Sequence, residues 1–250
     1  MKVYVNSITG IDDAIVTMFL SKHTLTKELE DHIREVCANI LDRNGSYTTL
    51  GVGFEKESKE FLEFIDWLNK LTKWGRNHIT MLRFIDISCT VYGLHRAGQD
   101  DWDAHACRMN NRIIRNSSRF AGIKDESKLQ NMSDYYADKV LTTDAVLDLL
   151  NITMPKEIEH DGKVYVRGFN GYIVEGMENN QDVKRGLYNL GFPSDFTFKV
   201  NLTEFAHIYK ERNANSGANP EVKQCCEMIA DEIEKIQPLF NRELFLAIKN

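Results

Sequence analysis

Several common signals are missing from this chain. No run of eighteen apolar residues occurs among its 250, so a membrane-spanning helix is not expected. The opening stretch, MKVYVNSITGIDD, turns polar and acidic at once and lacks the apolar segment of a secretory signal, so a cytoplasmic setting is expected. Cysteines number five (Cys37, Cys89, Cys107, Cys225 and Cys226). An odd count without CxxC spacing argues against a disulfide framework or a zinc site and for structural thiols in a reducing compartment. Basic residues are in deficit, with 31 Lys and Arg against 37 Asp and Glu and a formal charge of −6. Affinity for nucleic-acid backbones is therefore not expected from net charge. There is no GxGxxG, P-loop, GxSxG or HExxH, so any nucleotide site must be assembled from scattered residues. His95, Arg96, Asp100, Asp101, Asp103 and His105 cluster in sequence, but their spacing fits no standard metal site, and no metal is expected.

What is present is an ordinary globular composition, 42% hydrophobic and 27% charged. With no linker and no repeat, it reads as one α+β domain over 1–250, a central mixed or antiparallel sheet flanked by helices, with a β-hairpin insertion at 157–175. Lys2 to Asn6 alternates as a strand. Helical periodicity marks residues 11–22, Thr24 to Leu41 with Thr24 as a cap, and Ser58 to Lys73 with Phe61, Phe64, Ile65, Trp67, Leu68 and Leu71 on one stripe. Asn44-Gly45 marks a turn. Ile79 to Val91 is β-branched and aromatic and reads as a strand. Helices are expected over Asp101–Arg112, Lys128–Ala137, Thr143–Leu150 and Val183–Tyr188. Asp161-Gly162 lies between two alternating runs, a hairpin signal, and Asn170-Gly171 marks a second turn. Thr197–Val200 reads as a strand and Leu202–Arg212 as a helix. A long helix over Pro220–Lys249 is broken at Pro238.

Three constellations carry chemistry. Arg108, Arg112, Arg115 and Arg119 fall within twelve residues, with Ser117 and Ser118 between them. Arginine offers a planar fork of donors suited to phosphate or carboxylate, although a charge run of this kind also suits a solvated face. Arg185 and Arg212 form a second set, with Asn201 between them. The loop from Asn213 to Asn219 is rich in Asn, Ser and Gly, able to meet a ligand or simply to join two helices.

Together these pieces resemble the flavin-dependent thymidylate synthases. In that family an arginine opens a short helix, a strand ends in Val-Asn, and a helix ends in Arg before a polar loop. Here the same order reads Arg185-Gly-Leu-Tyr-Asn-Leu-Gly-Phe-Pro, then Phe198-Lys-Val-Asn201, then Phe205 to Arg212. Ser117-Ser118-Arg119-Phe120 resembles the Ser-x-Arg-aromatic end of the family signature. The Arg-His-Arg that should stand seven residues earlier is replaced by Cys107-Arg108-Met109, and Arg115 stands where the family carries an acidic or amide residue, turning an acceptor into a donor. Two lost bidentate contacts, at about 1.5–3 kcal/mol each, weaken affinity by roughly a hundredfold or more unless Arg108, Arg112 or Arg115 compensates.

The resemblance implies one-carbon transfer to C5 of a deoxyuridine nucleotide (dUMP to dTMP) by a methyltransferase that needs no enzyme nucleophile. Its cofactors would be FAD, NADPH and 5,10-methylenetetrahydrofolate, and four subunits would build the sites. Residue by residue it implies Ser117, Arg119 and Arg212 in the catalytic centre. Arg115, Ser117, Arg119, Arg185 and Arg212 would hold the nucleotide, and His78, Arg108, Asn201, His207 and Ser216 the flavin. Two alternatives stay open: an enzyme of the same fold acting on another pyrimidine nucleotide, and a nucleotide- or nucleic-acid-binding protein that has lost flavin chemistry.

Overall fold

A computed structural model describes residues 1–47, 58–104, 112–115, 132–168, 170–214 and 218–249. Four strands, β1 (Lys2–Thr9), β2 (Asp86–His95), β3 (Arg112–Arg115) and β7 (Pro193–Asn201), form one sheet in the order β1-β2-β7-β3. Three more, β4 (Glu157–His160), β5 (Lys163–Gly168) and β6 (Gly171–Val174), form a second sheet in chain order. The architecture is α+β, as the sequence implies. By contacts the chain groups into two compact units. One comprises Lys2–Val91, Asp100–Ile114 and Thr197–Asn250, and the other Met1, Tyr92–Gln99 and Arg115–Phe196.

In the first unit, α1 (Ile11–Ser21), α2 (Lys27–Ile40) and α3 (Lys59–Gly75) pack on one another. The stripe of α3 buries Phe64, Trp67, Leu68 and Leu71, as its 3.6-residue period requires. α8 (Pro220–Ile236) lies against β1 and buries Val222, Cys225, Cys226, Ile229, Ala230 and Ile233 along one face. The sheet supplies Ile87, Cys89 and Val91 from β2 and Phe198 and Val200 from β7 to the same core. On the opposite side of these strands the residues are polar. Asn6 donates to Thr90 (2.9 Å), Thr90 meets Thr197 (3.0 Å), and Asp86 pairs with Lys199 (3.1 Å) and Arg112 (2.9 Å). The described cysteines are all buried. Burial pushes the Cys37 thiol up to about 12 and those of Cys89 and Cys226 well above their ordinary value, so these are inert packing groups.

Several boundaries differ from the sequence reading. Thr24 does not cap α2. Thr26 does, its Oγ1 accepting from the Leu29 N–H at 3.2 Å, while the Thr24 hydroxyl donates to the Phe19 carbonyl behind α1. The run from Ile79 is not a strand until Asp86, because Met81–Phe84 forms a 3₁₀ turn that buries Met81 and Leu82. Two glycines make that turn possible. A Cβ on Gly75 would lie 2.5 Å from Leu82 Cγ, and one on Gly10, at φ +81, would lie 2.1 Å from the Phe84 carbonyl oxygen. The helix expected over Asp101–Arg112 instead runs Arg96–Ala104 (α4), and Arg112 begins β3.

In the second unit, β4, β5 and β6 are antiparallel, with Glu157 opposite Val166 and Tyr165 opposite Val174. Asp161 and Gly162 both take positive φ (47° and 68°), the backbone that a two-residue hairpin turn requires. The expected hairpin thus gains a third strand through the Asn170-Gly171 turn. α5 (Thr143–Leu149) is tied to this ribbon by Asp144, which pairs with Arg167 and accepts from the Asn170 N–H at 3.0 Å. The helix expected over Val183–Tyr188 is α6 (Gln181–Lys184) followed by a 3₁₀ turn, Arg185–Leu187. Over Asp134–Lys139 the chain makes turns rather than a helix, and 128–131 lie outside the described residues.

Candidate functional site

Where the C-terminal resemblance is strongest, the first unit gathers buried polar groups around one continuous segment, with Asn201 and Arg212 both buried. β7 ends at Asn201, whose Oδ1 accepts from the Glu204 N–H (2.9 Å) and the Thr203 hydroxyl (2.6 Å), opening α7 (Leu202–Tyr209). Such a cap satisfies N–H groups that no helical turn can reach. Asn201→Ala should therefore destabilise the fold by about 1 kcal/mol, and up to about 2, whereas Asn201→Asp should retain most of it. Urea unfolding measures both, and equal midpoints for the alanine variant and the parent would show an idle cap.

α7 buries Leu202, Phe205, Ala206, Ile208 and Tyr209, and Phe245 of α9 (Arg242–Ala247) stacks edge-on to Phe205 at 5.1 Å. The expected helix to Arg212 does not stay α-helical. Lys210–Ala214 widens into a π turn, a form that recurs at functional sites. Glu227 of α8 holds it open, accepting from the Tyr209 hydroxyl (3.0 Å), the Asn213 amide (2.5 Å) and Arg242 Nε (2.8 Å). Asp231 and Glu227 push the Arg242 pKa further up, so this guanidinium is a fixed charge. Burial raises the Tyr209 phenol, which stays a neutral donor.

The π turn directs Arg212 inward, where it is 7% exposed. One terminal N–H group donates to the Asp101 carbonyl in the last turn of α4, one of the acceptors that a helix end leaves open. Beside Asp101, Trp102 is fully buried, its ring 4.9 Å from that of Phe198. Arg212 Nε and Asn213 Oδ1 are buried and meet no hydrogen-bond partner among the described residues. An arginine N–H left so costs about 1–3 kcal/mol, and an anionic or carbonyl oxygen placed there would remove that cost.

The structure brings Asn201, His207 and Arg212 onto this one segment, His207 half-buried on α7. His78 lies elsewhere, exposed in the turn after α3 and eight residues before β2, rather than at the start of the strand. Arg115, in the second unit, donates to the Gln99 carbonyl at 3.2 Å. Arg185 opens the 3₁₀ turn after α6. Lys184 and Leu187 on either side of it line a cavity of about 180 Å³ with Val166, Arg167 and Tyr188. Arg108, Ser117, Arg119 and Ser216 lie outside the described residues, as does Cys107. Sequence reasoning missed Glu227 and the Asp101 carbonyl, and reached Asn213 only as the first residue of a polar loop. No local signal marks the two it missed, because Glu227 acts from the next helix and the Asp101 carbonyl from 111 residues away.

No protein-family model matches this chain, and no curated protein matches it. Solved structures do. Thymidylate synthase X from Helicobacter pylori, solved with FAD and dUMP, superposes with a TM-score of 0.55 at 10% identity, over 98% of this chain and 100% of that one. A second structure of the flavin-dependent enzyme from Helicobacter pylori, complexed with FAD and dUMP, gives 0.54 at 11%, over 100% of both chains. A UMP/dUMP methylase, PolB from Streptomyces cacaoi, bound with 5-Br dUMP, gives 0.51 at 11%, over 99% of this chain and 95% of that one. Identity this low speaks for backbone arrangement and for nothing finer. The chain has the fold of the flavin-dependent thymidylate synthases.

Proposed function

We propose that this protein is a flavin-dependent enzyme that transfers a one-carbon unit to C5 of a deoxyuridine nucleotide, in the manner of a thymidylate synthase. FAD would be its cofactor, NADPH its reductant and 5,10-methylenetetrahydrofolate its carbon donor, and it would work as a cytoplasmic homotetramer. The observation that carries the reading is Arg212, a buried arginine on a π turn whose Nε has no acceptor among the described residues. Its donor suits a phosphate or pyrimidine carbonyl oxygen, and its fixed charge would stabilise negative charge developing on the ring. Arg185 and Arg119, with Ser117, are assigned to the same nucleotide by the family pattern, and Arg115 is the fourth arginine of that set.

The described residues suit an anionic, phosphorylated group of the flavin class at Arg212, whose buried Nε is an N–H donor without an acceptor among them. Asn201, His207, His78, Arg108 and Ser216 are the residues proposed to hold the flavin. Bound FAD would supply the reducing electrons that complete the methyl group. The chain's own part is to orient the nucleotide and polarise its carbonyls. A second reading, an enzyme for a different pyrimidine nucleotide, is favoured by Arg115, which offers donors where the family offers acceptors.

Purified protein is expected to be yellow or to become so with added FAD, and to exchange the C5 hydrogen of dUMP for deuterium. Exchange of UMP in place of dUMP would select the second reading. A colourless protein that FAD cannot reconstitute would leave only a binding protein.

A further inference from the structure

Two consecutive residues of the π turn Lys210–Ala214 each keep one polar atom that is buried and meets no hydrogen-bond partner among the described residues. Arg212 Nε is a donor and Asn213 Oδ1 an acceptor. The network around Glu227 decides which end of the Asn213 amide is left over. Asn213 Nδ2 donates to Glu227 Oε1 at 2.5 Å, and the Tyr209 hydroxyl donates to the same oxygen at 3.0 Å. The other Glu227 oxygen accepts from Arg242 Nε at 2.8 Å. An ionised carboxylate accepts and does not donate, so turning the amide over would set two acceptor oxygens against each other. The unmet atom is therefore the oxygen. Arg212 and Glu227 also act on one point of α8. Burial and then Cys225 raise the pKa of the Cys226 thiol, Arg212 lowers it, and Glu227 raises it again.

We infer that Asn213 is a specificity-determining residue whose Oδ1 accepts the N3–H of a uracil ring. The inference rests on the nucleotide reading above, in which Arg212 donates to a ring carbonyl. In uracil, N3–H stands between the C2 and C4 carbonyls. A donor on either carbonyl and an acceptor on N3–H therefore match neighbouring positions of one edge, the edge by which a base is read. Cytosine carries a lone pair at N3 and an amino group at C4. With Arg212 on the C2 carbonyl, Asn213 Oδ1 would face that lone pair. With Arg212 at C4, donor would meet donor as well. In a buried site such a mismatch leaves polar groups on both sides without a bond, and discrimination follows from that loss. The pattern does not involve the sugar, so it treats UMP and dUMP alike.

Titration of the full chain with nucleotides, in the presence of FAD, tests it. The parent should bind dUMP at least about tenfold more tightly than dCMP, and than dUMP methylated at N3. Asn213→Ala should narrow both gaps by about fivefold or more. Glu227→Gln reaches the same atom indirectly. The new amide would keep its oxygen on Arg242 Nε and turn its nitrogen to Asn213, whose own oxygen would swing toward it and whose Nδ2 would face the ligand. The preference for dUMP over dCMP should then shrink or reverse. A purely structural role would weaken both nucleotides together and leave their ratio unmoved. Equal binding of dUMP and its N3-methyl form by the parent overturns the inference without any variant. So does a dUMP-to-dCMP ratio that neither folded variant changes. Equal affinity of the parent for dUMP and dCMP overturns this inference alone, whereas a parent that binds neither overturns the nucleotide reading with it.

Discussion

Arg212→Ala is expected to abolish measurable dUMP binding, a loss of at least about a hundredfold from removing one charge-assisted fork. The effect should be large because the side chain is buried, with its head group held against the Asp101 carbonyl and Nε turned to no acceptor among the described residues. The same substitution removes a charged hydrogen bond from the end of α4, at a cost to stability of about 1.5–3 kcal/mol. Binding and folding must therefore be read separately, by titration with dUMP and by thermal unfolding. Arg212→Lys separates them further. It keeps a charge that can reach the carbonyl but loses the planar fork, so it should regain much of the stability and little of the affinity. If the folded alanine variant bound dUMP as the parent does, Arg212 would be a structural tie and nothing more.

Trp102→Ala should be the most destabilising single change in this part of the fold, by about 3–5 kcal/mol. The indole is fully buried and packs 4.9 Å from the Phe198 ring, and alanine would leave a cavity between α4 and β7. Against a total stability of about 5–15 kcal/mol, that loss approaches unfolding. A fall in melting temperature of about 10 °C or more is expected, and Trp102→Phe should recover most of it. A fall of only a degree or two would mean that α4 packs elsewhere. Because Trp102 follows the residue whose carbonyl receives Arg212, the folded fraction of the alanine variant should also bind dUMP more weakly.

Much of the fold was legible because its signals are local. The stripe on α3 and the one on α8 follow a period that any amphipathic helix must show, and the buried positions match it. Asp161, Gly162 and Asn170 turn the chain at positive φ, which few residues accept. At Asn44-Gly45 the turn is closed by Asp42 Oδ1, which accepts from the Asn44 N–H at 2.8 Å. The placement of Arg212 at the end of a helix, before a polar loop, was legible too, through resemblance rather than periodicity.

Tertiary structure decided the rest. Ile79 to Phe84 has strand-like composition, yet Leu82 turns against Gly75 and the strand waits until Asp86, because packing outweighs a propensity worth at most about 1 kcal/mol. α5 has helical spacing, yet none of its residues is fully buried against the described chain, a fact that no periodicity can state. The last turn of α7 opens into a π turn around Glu227, and Arg212 swings toward a carbonyl 111 residues away in the chain. Sequence by itself determined the elements and which side of each is apolar, since those follow from neighbours a few residues apart. Only the folded chain determined where the guanidinium points, since that depends on partners that meet through closure of long loops.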